Sequence, residues 1–132
     1  MIQLLINPAG ELAIYRQIMR QITEAIASGR LKPADKLPSH RDLSEQLVVA
    51  PLTVKKAYDE LELLGYIETQ RGRGTFVCAR LPRPDRTVQR EEIQDAARAL
   101  LSKAYLAGMD FESVVKLLEK TDRAFSAERE EA

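Results

Sequence analysis

Leu37-Pro38-Ser39-His40-Arg41-Asp42-Leu43, Thr53-Val54-Lys55-Lys56-Ala57-Tyr58, Leu64-Gly65-Tyr66-Ile67-Glu68 and Arg71-Gly72-Arg73-Gly74-Thr75-Phe76-Val77 follow one another between Leu37 and Val77. Their order predicts two short helices and then a β-hairpin. Ser39 is a good N-cap, because its hydroxyl can accept from a free N–H of the first turn, and Asp42 completes a Ser-x-x-Asp arrangement. A helix follows over about His40 to Gln46, burying Leu43 and Leu47. Val48-Val49-Ala50 is a turn. Pro51 suits the first position of the next helix, where its missing N–H costs nothing. That helix places Val54, Ala57, Tyr58, Leu61 and Leu64 on one buried face. Its other side carries Leu52 and Lys56, flanked by Thr53 and Lys55. Gly65 stops it. Tyr66–Thr69 and Thr75–Cys78 are β-rich, and Gln70-Arg71-Gly72-Arg73-Gly74 between them is a hairpin tip.

Upstream, Ile2 to Ile6 is a short apolar strand or arm, broken by Asn7-Pro8-Ala9-Gly10. Ile14, Ile18, Ile22 and Ala25/Ile26 recur at helical spacing and predict a helix over about Ala13 to Ser28. Gly29 stands where a left-handed stop belongs, and Arg30 to Lys36 is a polar turn around Pro33. Downstream, Leu81-Pro82-Arg83-Pro84-Asp85 is too proline-rich for a regular element. Ile93, Ala97, Leu100, Leu101 and Ala104 form one face of a helix over about Arg90 to Ala107. Gly108 ends it, and Asp110 caps another helix in which Phe111, Val114, Val115 and Leu118 share a face. The acidic end, Ala127 to Ala132, is expected to fray. The reading is a mainly α chain with a small β-wing: a winged helix-turn-helix over residues 1–80, a linker over 81–89, and a two-helix region over 90–132.

The 132 residues carry 20 basic and 20 acidic side chains, so any nucleic-acid contact must rest on local clustering. The excess is small: residues 1–80 hold 11 Lys/Arg against 9 Asp/Glu, and residues 81–132 hold 9 against 11. One cysteine, Cys78, and one histidine, His40, allow neither an intrachain disulfide nor a protein-only tetrahedral zinc site. No nucleophile–base constellation appears, and Arg71-Gly72-Arg73-Gly74 lies between strands rather than before a helix, so it is no phosphate-binding loop. The sequence therefore predicts no catalytic residues, no metal and no cofactor. It has no apolar run near the roughly 18 residues of a spanning helix and no basic n-region at its N-terminus. A cytoplasmic protein without membrane attachment is expected.

The pattern points to double-stranded DNA. A helix fits the major groove, and its N-terminal residues reach base edges while the preceding helix lies over the backbone. Thr53, Lys55 and Lys56 stand free of the core near the start of that helix, and Arg41 projects from the first turn of the helix before it. Arg71 and Arg73 at a slim tip suit a minor groove, whose negative potential favours guanidinium, and Gly72 and Gly74 permit close backbone approach. A competing reading is a winged-helix protein-interaction module without sequence-specific DNA binding, which neutral net charge favours slightly.

The set Leu37-Pro38-Ser39-x-Arg41-x-Leu43, Thr53-Val54-x-x-Ala57-Tyr58-x-x-Leu61, Gly65-Tyr66-Ile67-Glu68 and Arg71-Gly72-Arg73-Gly74-Thr75-Phe76-Val77 closely resembles the N-terminal domain of GntR bacterial transcription regulators. The resemblance implies operator contacts from Arg41, Ala50, Pro51, Leu52, Thr53, Lys55, Lys56 and Gly72. The chain departs from the family in three places, one of them that Ala50 lacks the usual capping side chain, a loss of roughly 1 kcal/mol. Ala50, Pro51 and Leu52 offer no side-chain hydrogen bonds to bases, leaving Ala50 and Leu52 only apolar contact with thymine methyl groups. Ala34 replaces the glycine common before Asp35.

The short remainder looks like the two-helix C-terminal region of the YtrA subfamily. Two helices with one apolar face each cannot enclose both a core and an ordinary ligand cavity. Pairing with a second copy would cover those faces, so a homodimer is expected through Ile93, Ala97, Leu100, Leu101, Ala104, Phe111, Val114, Val115 and Leu118. It would present two recognition helices to a palindromic operator. The resemblance implies a repressor, with an operon for a membrane transporter as its target. It leaves room for a small-molecule effector of unknown identity.

Overall fold

The computed structural model describes residues 3–81 and 86–131, with backbone alone for 86–89 and 129–131. The described residues form α1 (Ile14–Ser28), β1 (Lys36–Leu37), α2 (His40–Leu47), α3 (Pro51–Leu63), β2 (Ile67–Gln70), β3 (Gly74–Val77), α4 (Arg86–Leu106) and α5 (Phe111–Glu131). The architecture is mostly helical with one small antiparallel sheet, as the sequence predicts. They divide into two compact units, the first ending just past β3 and the second comprising α4 and α5.

In the first unit, the α1 stripe is the buried one: Ile18, Ile22 and Ala25 are all at most 1% exposed. Gly29 ends the helix at φ 82°, and its N–H donates to the Ile26 carbonyl. Leu43 of α2 and Val54, Ala57 and Leu61 of α3 complete the core with Leu37, Ile67 and Val77 from the sheet. Burying each such aliphatic side chain contributes about 1.5–3 kcal/mol. Leu64 does not join them. It caps α3 and is 51% exposed, because the helix ends at Leu63 and the chain turns through Gly65 before Leu64 can reach the core side.

The strand order is β1-β3-β2. The hairpin is as expected, shifted by one residue at each end: Gln70 pairs with Gly74, and Ile67 with Val77. The third strand falls within the predicted polar turn and the Leu37-Pro38 step that follows it. Lys36 pairs with Phe76 and Leu37 with Thr75. Two residues of strand give no alternation to detect.

The N-terminal segment is an arm, not a strand. The Gln21 side chain accepts from the Leu5 N–H at 2.9 Å and donates to the Leu5 carbonyl at 2.6 Å. Gln17 does the same for Asn7, both at 2.8 Å, and donates to the Leu12 carbonyl as well. The spacing makes this work. Four helical residues rise about 6 Å, close to the roughly 6.6 Å that two extended residues span.

In the second unit α4 begins at Arg86, earlier than the expected Arg90. The prolines at 82 and 84 lie outside the described residues, and nothing after them opposes a helix. Gly108 at φ 85° ends it, and the Met109 N–H donates to the Ala104 carbonyl at 2.9 Å. The Asp110 carboxylate caps α5 by accepting from the Ser113 N–H at 2.8 Å; the Ser113 hydroxyl first, and then this N–H, hold its pKa below the usual range. α5 runs on to Glu131, where fraying from Ala127 was expected. The run Ala124 to Glu131 has neither Gly nor Pro to break it. Ala104 and Val114 are buried, whereas Ile93, Phe111 and Leu118 are 68%, 60% and 49% exposed. Ala97 and Val115 are exposed too, and Leu100 and Leu101 half-buried. No described helix is long and apolar enough to cross a membrane.

Candidate nucleic-acid interface

The candidate interface comprises the start of α2, the α2–α3 turn, the first turns of α3 and the tip of the β2–β3 hairpin. Two bonds fix the start of α2. The Ser39 hydroxyl accepts from the Asp42 N–H at 3.1 Å, and the Tyr58 hydroxyl of α3 donates to the Pro38 carbonyl at 2.7 Å. Burial, and then the nearby Asp42 carboxylate, push the Tyr58 phenol up, so it stays a protonated donor. Arg41 is the second residue of α2, in the first turn of this anchored end, exposed and without an ion pair among the described residues.

α3 begins at Pro51, and Ala50 before it forms no side-chain cap. Ala50, Pro51 and Leu52 are exposed, Leu52 by 78%, and Thr53 is half-buried. The two lysines of the next turn stand free of the core, as expected, whereas Thr53 does not; both lysines nevertheless have surface partners. The Lys55 ammonium lies 2.8 Å from the Asp59 carboxylate, one turn toward the C-terminal end. The Lys56 ammonium lies 4.2 Å from the centre of the Tyr15 ring of α1. Such a cation–π contact is worth about 0.5–1 kcal/mol at an exposed site. The reason is packing. α1 runs beside α3, and an i, i+4 pair always shares a helix face. Arg16 donates to the Tyr15 hydroxyl at 3.1 Å. That bond comes first, and the charges of Arg16 and Lys56 add to it, in holding the phenol below its ordinary value against the opposing effect of partial burial.

The wing tip is Arg71-Gly72-Arg73, closed by the Arg73 N–H donating to the Gln70 carbonyl at 2.9 Å. Gly72 has φ 78°, and a Cβ there would meet no atom within 4 Å. The backbone conformation asks for glycine, and the space around it is open. Arg71 and Arg73 are exposed and form no ion pair among the described residues. The Glu62 carboxylate of α3 accepts from the Thr69 N–H of β2 at 3.0 Å, so the wing is tied to the helix beside it. Burial and the acidic neighbours Glu68 and Glu62 push the Cys78 thiol up, which leaves it a poor nucleophile.

Two of these features escape a reading of the sequence. The Glu62–Thr69 bond spans two elements and has no local signature. The other is Val48. It caps α2 in the left-handed conformation, φ 53° and ψ 50°, and is 91% exposed. That region costs an L-residue roughly 1–2 kcal/mol, and a β-branched side chain is seldom found there. The signal available was negative: a helix end with neither Gly nor Asn.

Residues 14–77 match the family described as "Bacterial regulatory proteins, gntR family". The "HTH-type transcriptional repressor YtrA" of Bacillus subtilis (strain 168) is 40% identical over 109 residues, which cover 83% of this chain and 84% of that protein. Among solved structures, a transcriptional antiterminator from Listeria monocytogenes EGD-e aligns with a TM-score of 0.79 at 28% identity, covering 94% of this chain and 92% of that one. The AraR DNA-binding domain in complex with operator ORX1 aligns with a TM-score of 0.50 at 32% identity, covering 57% of this chain and 93% of that one. With the recognition helix, wing and capped α2 in place, and with likeness extending over most of a relative's length, the chain belongs to the GntR family of DNA-binding transcription regulators, on its YtrA-like branch.

Proposed function

We propose that this regulator is a homodimeric repressor that binds a palindromic operator in the cytoplasm. The observation that carries the dimer is the exposure of Ile93, Phe111 and Leu118, large apolar side chains on faces of α4 and α5 whose Ala104 and Val114 are buried. Apolar faces of this kind gain about 25 cal/mol per Å2 when covered, and a two-fold axis covers them with the same residues of a second copy. The dimer contact uses Ile93, Ala97, Leu100, Leu101, Ala104, Phe111, Val114, Val115 and Leu118. Two α3 helices then face half-sites about one helical turn apart.

In this arrangement Arg41 pairs with a backbone phosphate, the first turns of α3 enter the major groove, and Arg71, Gly72 and Arg73 follow the neighbouring minor groove. Lys55 and Lys56 contribute charge once they leave Asp59 and Tyr15. Phosphate contacts set register and base-edge contacts set sequence. The regulated operon encodes a membrane transporter.

Selection from a random duplex library by the purified protein, at two salt concentrations, tests the reading. Enrichment of an inverted repeat supports it. Weak, salt-sensitive binding without enrichment would sink it and favour a winged helix that serves a protein partner.

A further inference from the structure

We propose that Val48 and Leu52 form an apolar reading edge that selects thymine by its C5-methyl group, so that Val48 is a specificity-determining residue. The inference rests on the DNA-binding reading and adds to it the base chemistry that this chain recognises.

Val48 is the starting point. Its backbone is held at φ 53°, where glycine or asparagine would sit with less strain. Its side chain is 91% exposed, so burial offers no compensation within the fold. Folding therefore gives no reason for valine at this position. Strain retained at an exposed position beside a recognition helix points to a contact made with a ligand.

The neighbours share its character. From Val48 through Val49, Ala50, Pro51 and Leu52, no side chain can donate or accept a hydrogen bond. Val48, Val49 and Pro51 line one shallow depression with Ser44 and Glu45. Leu52, 78% exposed, stands in the first turn of α3. This stretch is continuous with the end of α3 that a recognition helix turns toward base edges. In the major groove every base pair offers polar atoms, but thymine alone of the four standard bases offers a methyl group. Side chains without donors or acceptors, as those of Val48 and Leu52 are, can gain at a base edge only from that methyl. Against a G·C pair it would strip water from polar atoms and return nothing.

The test uses the operator obtained by selection. Each thymine is replaced in turn by deoxyuridine, which keeps the base pairing and removes only the methyl. At one or two positions per half-site, affinity should fall about fourfold, the equivalent of one buried methyl group at about 0.8 kcal/mol. Val48→Gly should abolish the effect at one such position and Leu52→Ala at another, each lowering affinity for the thymine operator by a similar factor. Val48→Gly should at the same time raise the thermal midpoint, so its lost affinity cannot come from unfolding. Unchanged affinity at every deoxyuridine position, with an inverted repeat still selected, would overturn the inference and leave sequence-specific binding intact. Selection of no sequence at all would overturn the DNA-reading assignment and this inference with it.

Discussion

The hydroxyl of Tyr58 donates to the carbonyl of Pro38 across 2.7 Å and joins the middle of α3 to the residue that precedes the α2 cap. One bond thus sets where Arg41 stands relative to the recognition helix. Tyr58→Phe keeps the ring and removes the donor, leaving a shielded carbonyl unpaired. The expected loss is about 1 kcal/mol in denaturant unfolding, with a fall in operator affinity beyond what that loss explains. The pH dependence has a definite sign. Burial raises the phenol above its ordinary 10.0 in the folded state. Its contribution is complete below pH 10 and declines as pH rises from there toward the folded value. Tyr58→Phe should therefore flatten the alkaline fall in stability. An alkaline limb unchanged by the substitution would show that the bond does not hold the helices.

Asp59 restrains Lys55, a lysine of the proposed DNA contact. The Lys55–Asp59 pair is exposed, with lysine on the N-terminal side, the weaker order for an i, i+4 pair. Asp59→Asn should change stability by less than about 0.5 kcal/mol. It should strengthen binding to specific and non-specific DNA alike and steepen the salt dependence by about one unit. The salt slope measured by fluorescence anisotropy decides the matter, and an unchanged slope places Lys55 away from the phosphates.

Arg41→Ala makes the opposite prediction. Arg41 is exposed and has no ion pair among the described residues, so the protein loses little stability without it. Binding should weaken on operator and random duplex alike, and the salt slope should flatten by about one unit. A loss confined to the operator would instead assign Arg41 to a base.

Much of this architecture is legible in the chain because its punctuation is chemical. Ser39, Gly29, Pro51, Gly65 and Gly108 each mark a boundary for a stated reason, and α1, α2 and α3 start or stop within a residue of them. What the sequence hides is what only three-dimensional packing supplies. Lys56 meets Tyr15 because α1 lies beside α3, although 41 positions separate them. β1 exists because Lys36 and Leu37 find Phe76 and Thr75, not because two residues carry a strand pattern. Leu64 follows the apolar periodicity of α3 but falls after the helix has ended. The site is legible as a set of residue types in order, while the engagement of Lys55 and Lys56 and the strained Val48 are facts of conformation.

Ala34 joins the departure from the family pattern to backbone geometry. It holds φ 72° while its N–H donates to the Val77 carbonyl at 3.0 Å, beside the β1–β3 pairing. The conformation costs alanine roughly 1–2 kcal/mol, and glycine would return about 0.5–1 kcal/mol of that through greater freedom in the unfolded chain. Ala34→Gly should raise stability by roughly 0.5–1 kcal/mol without altering operator affinity. A lowered thermal midpoint would show that the left-handed turn is not strained.

The dimer prediction is best made at Ile93. Leu101 is half-buried, so a charge there confounds assembly with folding of the protomer, whereas Ile93 is 68% exposed. Ile93→Glu should leave helix content intact by circular dichroism, because glutamate is a good helix former. It should give a monomer by sedimentation, since a carboxylate cannot be covered by the apolar face of a second copy without its full desolvation cost. Operator affinity should fall far more than affinity for a single half-site, because two linked contacts become one. A variant that remains a dimer, with unchanged operator affinity, would move the contact away from this face of α4.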